Sequence, residues 1–236
     1  MRNEIINIIA EGAEDIGVLR SILQAFGFDG SEIIPIRPGL STDATDKYKD
    51  NQTIGTFQGV KNSCIGKNGK RTDFERAFCT SDSNYMVIQL DTAEIEKHDF
   101  EFKRPLKQNN ENYCLELRNS VIDVIDGWLE QNYKDKIFYA ISIEELEAWC
   151  LTIFENKNTV NIVNVKEKLS KHLNRKNLTF SDLKCDPTKD KTKYFEKVTK
   201  EYYFHKIPKL KEFAEKNHSL KYFIQSLEEK LQSSLN

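Results

Sequence analysis

The chain has 236 residues, 39% hydrophobic and 31% charged, with a net charge of −2, which is enough for one α/β domain with an appendage. No apolar run approaches the ~20 residues of a membrane span. Five scattered cysteines without a CxxC pair argue against a disulfide framework or structural zinc, and no signal-peptide pattern follows Arg2 and Glu4, so a cytoplasmic protein is expected.

Glu4 to Ala10 is a short β-branched run of the kind a fully buried strand presents. Glu11-Gly12 then makes a tight exit. Ile16, Leu19, Ile22, Leu23 and Phe26 recur at helical spacing until Gly27 and Gly30 stop them. Ile33-Ile34-Pro35-Ile36 reads as a short or edge strand, because Pro35 removes a backbone donor. From Gly39 to Lys70 the periodicity fades into a long loop, a length that usually accompanies function or mobility. The end of this stretch, Gly66-Lys67-Asn68-Gly69-Lys70-Arg71-Thr72, is not a P-loop. Cys64 stands where the first glycine is required, and Arg71 where Ser or Thr should follow the lysine. What remains is a basic glycine-rich loop whose Lys67, Lys70 and Arg71 are candidates for contact with phosphate.

Asp73 to Phe78 reads as a helix leading into the strand Tyr85–Leu90, which ends in Asp91. Leu115 to Leu129 is an amphipathic helix, and Ile137 to Ile141 a further strand. Ser142 with Glu145 three residues later forms a capping box, which predicts a helix from Ile143 to about Phe154. Strand and helix alternate, the pattern of a parallel α/β sheet. Beyond Lys157 the strand signals vanish. Val165–Leu173, Tyr194–Tyr203, Leu210–Lys216 and Leu220–Leu231 read as helices. The expected division is an α/β core over residues 1–157 and a helical C-terminal extension over 158–236.

Ligands of open α/β sheets gather at the carboxyl ends of the strands. Three acidic clusters stand at such ends: Glu11-Gly12-Ala13-Glu14-Asp15, Asp91-Thr92-Ala93-Glu94-Ile95-Glu96 and Glu144-Glu145-Leu146-Glu147. Asp91 is the most pointed of these acids, since a carboxylate ending a buried strand must be solvated, paired or metal-bound. Glu14, Asp15, Glu144 and Glu145 also suit helix first turns, where the macrodipole favours acids. The charge is divided along the chain. Residues 164–236 carry 17 Lys/Arg against 10 Asp/Glu, and the rest 18 against 27. That split suits a metal site beside a polyanion surface, although solvated lysine-rich helix faces produce it equally. Lys189-Asp190-Lys191-Thr192-Lys193-Tyr194 and Glu201-Tyr202-Tyr203-Phe204-His205-Lys206 interleave basic and aromatic residues. This makes Lys191 and Lys193 nucleic-acid candidates, while Tyr and Phe at helical spacing also serve to complete a core.

Three motifs together carry a resemblance: Glu11-Gly12-x-x-Asp15, the Asp91-led turn and Glu145-Leu146-Glu147-Ala148-Trp149. They resemble the TOPRIM-like DUF4276 family and its RloB-type kin, and Asp186-Pro187 and Lys221-Tyr222-Phe223-Ile224 extend the likeness along nearly the whole chain. The resemblance implies a TOPRIM-like α/β fold, a parallel sheet flanked by helices with a helical C-terminal region. It further implies a nuclease effector of bacterial antiphage defence, working with an ATPase partner on DNA or RNA. In such proteins a glutamate after the first strand and an Asp-x-Asp after a later one gather Mg²⁺ or Mn²⁺. Glu11 matches the glutamate and Asp91 the first aspartate, and the second aspartate falls on Ala93. The expected ligands are therefore Glu11, Asp91 and, by substitution, Glu94, with Asp15 as a further catalytic candidate. An ion held there would polarise a phosphoryl oxygen, and Glu11 is alternatively a general base. The competing expectation is a TOPRIM-like scaffold that has lost metal chemistry and binds protein or nucleic acid. A different phosphoryl-transfer enzyme on the same fold is a third, and a homodimer is left open.

Overall fold

The structure, a computed structural model, describes residues 4–38, 56–66, 71–79, 83–93, 95–97, 100, 102–108, 110–175 and 190–233. Among these residues four strands form one sheet: β1 (Ile5–Ile9), β2 (Ile33–Arg37), β3 (Ser83–Asp91) and β4 (Ile137–Ser142), in the order β2-β1-β3-β4. All neighbouring strands run parallel. The register sets Ile9 beside Ile88 and Asp91 beside Ser142, so three adjacent strands finish at one edge.

Successive side chains of a strand point to opposite faces, and both faces here are covered. Ile6, Ile8, Val87, Phe138 and Ala140 enter one core, together with Ile16, Leu19, Ile22 and Leu23 of α1 (Ala13–Ala25). The same core receives Leu169 of α6 (Val165–Arg175), Val198 of α7 (Lys191–Glu201), Leu210 of α8 (Ile207–Ala214) and Phe223 of α9 (His218–Ser233). Helices α6 to α9 therefore share a core with β1 and α1 and roof one face of the sheet. On the other face Ile9, Met86, Ile88, Leu90, Tyr139 and Ile141 pack on α2 (Phe57–Ile65), α3 (Thr72–Cys79) and α4 (Glu111–Trp128). The result is a three-layer α/β/α arrangement.

Helix α7 lies against α1 at very short range. A Cβ added to Gly17 would stand 2.3 Å from the Thr192 carbonyl oxygen. Around that approach Thr192 Oγ1 donates to the Ala13 carbonyl at 2.7 Å, Ser21 and Thr199 hydroxyls meet at 2.7 Å, and Arg20 pairs with Glu196 at 3.1 Å. Only the absence of a side chain at Gly17 lets these backbones come so near.

Two elements differ from the sequence expectation. Helix α2 occupies part of the stretch that reads as a loop. Phe57, Val60 and Cys64 are buried at helical spacing, Thr56 Oγ1 caps the start by accepting the Gly59 N–H at 3.1 Å, and Gly66 ends it at φ 77°. Residues 39–55 and 67–70 lie outside the described residues. The helix expected from Ile143 instead begins four residues later, as α5 (Glu147–Leu151). Its intended cap, Ser142, is the last residue of β4 and sends its hydroxyl elsewhere. Among the described residues no helix is long and apolar enough to cross a membrane.

Candidate metal centre

Glu11 leaves β1, Asp91 ends β3 and Glu147 opens α5 just after β4, so the parallel register brings three acidic clusters to one edge. The backbone N–H of Asp91 donates to Glu11 Oε1 at 2.7 Å. Gln89, fully buried, joins the two acids from below. Its Oε1 accepts the Glu11 N–H at 2.9 Å, and its Nε2 donates to Asp91 Oδ1 at 2.7 Å. The Ser142 hydroxyl donates to the same Asp91 oxygen. Asp91 and Gln89 alternate with Leu90, so both side chains point to the face that α1 and the C-terminal helices cover.

Asp15 and Glu147 complete the cluster, and both are buried, at 4% and 6% exposure. Asp15 Oδ2 accepts the Gly12 N–H at 2.8 Å, the reach-back of a capping box, which holds its carboxyl over the start of α1. Burial holds the Asp15 proton well above the usual carboxylate range, and Asp91, Glu147, Glu14 and Glu11 add to that by repulsion. Asp91 is raised well above its ordinary value by burial first and by Glu11 next, against the pull of the Ser142 hydroxyl. Glu147 is raised mainly by burial, partly offset by Lys166. The acids therefore sense one another across three strand ends, as like charges in a poorly solvated site must.

One cation enters this group from the C-terminal region. Lys166, near the start of α6, places Nζ 3.1 Å from Glu145 Oε1 and 3.6 Å from Glu147 Oε1. Lys191, first residue of α7, reaches Glu14 at 3.4 Å on the rim. Lys193 is exposed on the same helix, its backbone N–H capped by Asp190. Arg71 is used differently. It is buried, donates to the Cys64 and Trp128 carbonyls and pairs with Glu130, tying α2 to α4 on the opposite face of the sheet. Lys67 and Lys70 lie outside the described residues.

The turn carrying Ala93 is fixed by the neighbouring strand exit. The N–H groups of Thr92 and Ala93 both donate to the Glu144 carbonyl at 3.0 Å, and the Glu144 N–H donates to Thr92 Oγ1 at 2.8 Å. Glu144 adopts φ 65° to do so. Arg104 binds the Thr92 carbonyl, Glu96, Glu144 and the Tyr113 hydroxyl, so Glu96 is turned to Arg104 at the surface. Glu94 lies outside the described residues.

Glu147, the last acid of the third cluster, stands inside the site, buried and 3.6 Å from the Lys166 ammonium group. Lys166 carries no local signal at all. Trp149, by contrast, is structural. Its ring stacks on Phe223 at 5.6 Å and its Nε1 donates to Ser219 Oγ at 2.8 Å, which joins the Glu-x-Glu-Ala-Trp segment to the Lys221–Ile224 segment of α9.

The donor set consists of carboxylate oxygens, the chemistry that hard divalent ions such as Mg²⁺ or Mn²⁺ select. Burial first, and repulsion from neighbouring acids second, raise Asp15 and Asp91, and a bound positive charge would relieve the repulsion. Among the described residues, no three His, Cys, Asp or Glu side chains converge on one ion position as they stand. Positive charge comes instead from Lys166. No family model, no curated protein and no solved structure matches the chain.

Proposed function

We propose that the protein is a metal-dependent nuclease built on a TOPRIM-like sheet, hydrolysing phosphodiester bonds of DNA or RNA. The observation behind this reading is the gathering of Glu11, Asp15, Asp91 and Glu147 from three adjacent strand ends, where the Asp91 N–H donates to Glu11 and Gln89 bridges the two acids. Glu11 and Asp91 would hold Mg²⁺ or Mn²⁺. Once bound, the ion supplies Lewis-acid polarisation of a phosphoryl oxygen and charge for the transition state. Gln89 and Ser142 keep the Asp91 carboxylate oriented before any substrate arrives. Asp15, with its raised proton affinity, is suited to deliver a proton to the departing oxygen. Lys191, which reaches Glu14 at the rim, and exposed Lys193 on the same helix would offer positive charge to a polyanionic strand. The likeness in motifs adds an ATPase partner, an antiphage role and a cytoplasmic setting to the proposal.

The test is cleavage of DNA and RNA in Mg²⁺ or Mn²⁺, with and without a candidate ATPase partner, by wild type, Glu11→Gln and Asp91→Asn. Loss of about a hundredfold or more in both variants supports the reading, the order of a removed electrostatic stabiliser. Equal cleavage by all three, or none by any, sinks it. One observation favours the scaffold alternative. Lys166 already compensates Glu145 and Glu147, and the turn offers Ala93 in place of an acid.

A further inference from the structure

We infer that Arg104 is a positioning residue: its guanidinium clamps the exits of β3 and β4 together and thereby holds Asp91 in place. The consequence for chemistry rests on the reading of the strand-end acids as a catalytic site, while the clamp itself rests on contacts alone. Arg104 comes from the 102–108 segment, outside the sheet, and its side chain is 13% exposed. The five N–H groups of its guanidinium match five acceptor contacts. Nε and Nη2 hold the two Glu96 carboxylate oxygens, and Nη2 also donates to the Thr92 carbonyl. Nη1 donates to Glu144 Oε1 at 3.1 Å and to the Tyr113 hydroxyl at 3.3 Å. One side chain therefore joins the exit of β3, the short turn Ile95–Lys97, the exit of β4 and the start of α4.

The two exits need such a clamp because one of their residues is strained. Thr92, fully buried, donates its N–H to the Ser142 and Glu144 carbonyls, Ala93 adds a second bond to Glu144, and the Glu144 N–H donates back to Thr92 Oγ1. Closing this zipper puts Glu144 at φ 65°, in the left-handed region that residues other than glycine enter at a cost. Such a residue persists where its surroundings over-determine it. Here Arg104 and Lys107, at 3.1 and 2.7 Å, both hold the Glu144 carboxylate. Asp91 immediately precedes Thr92, and Ser142, which donates to Asp91, lies just before Glu144. Movement of either exit therefore reaches the Asp91 carboxylate, its N–H on Glu11 and the Gln89 amide beneath it. A lysine cannot take the place of Arg104. An ammonium group offers three donors at one point and cannot span Thr92, Glu96, Glu144 and Tyr113 together.

The experiment is amide hydrogen exchange followed by NMR on the full chain, as wild type, Arg104→Gln and Arg104→Lys. The N–H groups of Thr92, Ala93 and Glu144 should exchange on the order of tenfold faster in both variants, beyond any change at Ile8 and Ile88, whose exchange reports global stability. The Gln89 side-chain amide and Asp91 N–H resonances should shift with them as their acceptors move. Unchanged protection at the turn amides, or a change only in step with Ile8 and Ile88, overturns the clamp. Faster turn exchange with the Gln89 and Asp91 resonances unmoved overturns the positioning role. Cleavage assays of the same proteins in Mg²⁺ or Mn²⁺ separate this inference from the nuclease reading. In a wild type that cuts, kcat should fall about tenfold or more in both variants with KM within about twofold, the signature of a misplaced group in the transition state. An unchanged kcat overturns the positioning role. A wild type that cuts nothing sinks the nuclease reading, and the exchange and resonance data still decide the clamp and its hold on Asp91.

Discussion

Gly17→Ala examines how the helical region is attached beneath the acid cluster. The new methyl group would meet Thr192 O at 2.3 Å, Glu196 N at 2.9 Å and Phe195 Cβ at 3.0 Å. Two of these are backbone atoms, which cannot rotate away, so α7 must retreat from α1 by about an ångström to restore contact near ~3.5 Å. Overpacking of this kind costs about 1–3 kcal/mol. Retreat also stretches the Thr192–Ala13 and Ser21–Thr199 hydrogen bonds, each worth about 1 kcal/mol. Alanine returns about 1 kcal/mol through helix propensity. The balance is a loss of about 2–4 kcal/mol, which for a domain of this size lowers the melting temperature by roughly 4–16 °C. Gly127→Ala is the control. There an added Cβ meets nothing within 4 Å, so the same exchange on α4 should stabilise by about 0.5–1 kcal/mol. Calorimetric or urea unfolding of both variants decides the matter. A Gly17→Ala protein as stable as wild type would show that α1 and α7 are not packed at this distance.

Two further predictions concern the site and its support. Asp15 and Asp91 keep their protons to higher pH when folded than when unfolded, because their folded values are raised. Above the unfolded pKa of about 4, the folded state therefore binds more protons than the unfolded one, and stability falls as pH rises through the raised values, by about 1.4 kcal/mol per pH unit for each group. Asp91→Asn, whose Oδ1 still accepts from Gln89 and Ser142, should then be more stable than wild type at pH 8 in EDTA. The gain should vanish towards pH 3, and parallel pH–stability curves for the two proteins would refute the reasoning. Ser219→Ala leaves the buried Trp149 N–H without its acceptor and should cost about 1–3 kcal/mol in urea unfolding. No loss would remove that bond from the structural role assigned to Trp149.

Most of the framework is legible in the residues. Four runs rich in Ile, Val and aromatic residues mark the strands, and helical periodicity marks α1, α4 and the C-terminal helices, because burial on two sheet faces demands those patterns. Helix α2 is obscured because Phe57, Val60 and Cys64 are diluted by Gly, Asn and Lys, and its cap at Thr56 belongs to a polar stretch. Ser142 and Glu145 show how a local pattern yields to a distant partner. The spacing suits a capping box, but Ser142 donates to Asp91, 51 residues away, and Glu145 binds Lys166. Helix α5 starts late because the Glu144 carbonyl is taken by the N–H groups after β3. That same delay carries Glu147 into the buried cluster, while Glu144 turns to Arg104 and Lys107 and Glu145 to Lys166. Asp91 and Glu11 are legible because strand ends are where a parallel sheet exposes chemistry. The burial of Arg71 between α2 and α4 depends on packing that no motif encodes.

The most direct measurement is anomalous scattering from a crystal of the protein soaked in Mn²⁺. The prediction is an anomalous peak bonded to carboxylate oxygens of both Glu11 and Asp91, at roughly the 2.1 Å of a small divalent ion. A crystal of competent protein in saturating Mn²⁺ with no peak shared by Glu11 and Asp91 would contradict the metal centre on which the nuclease reading depends.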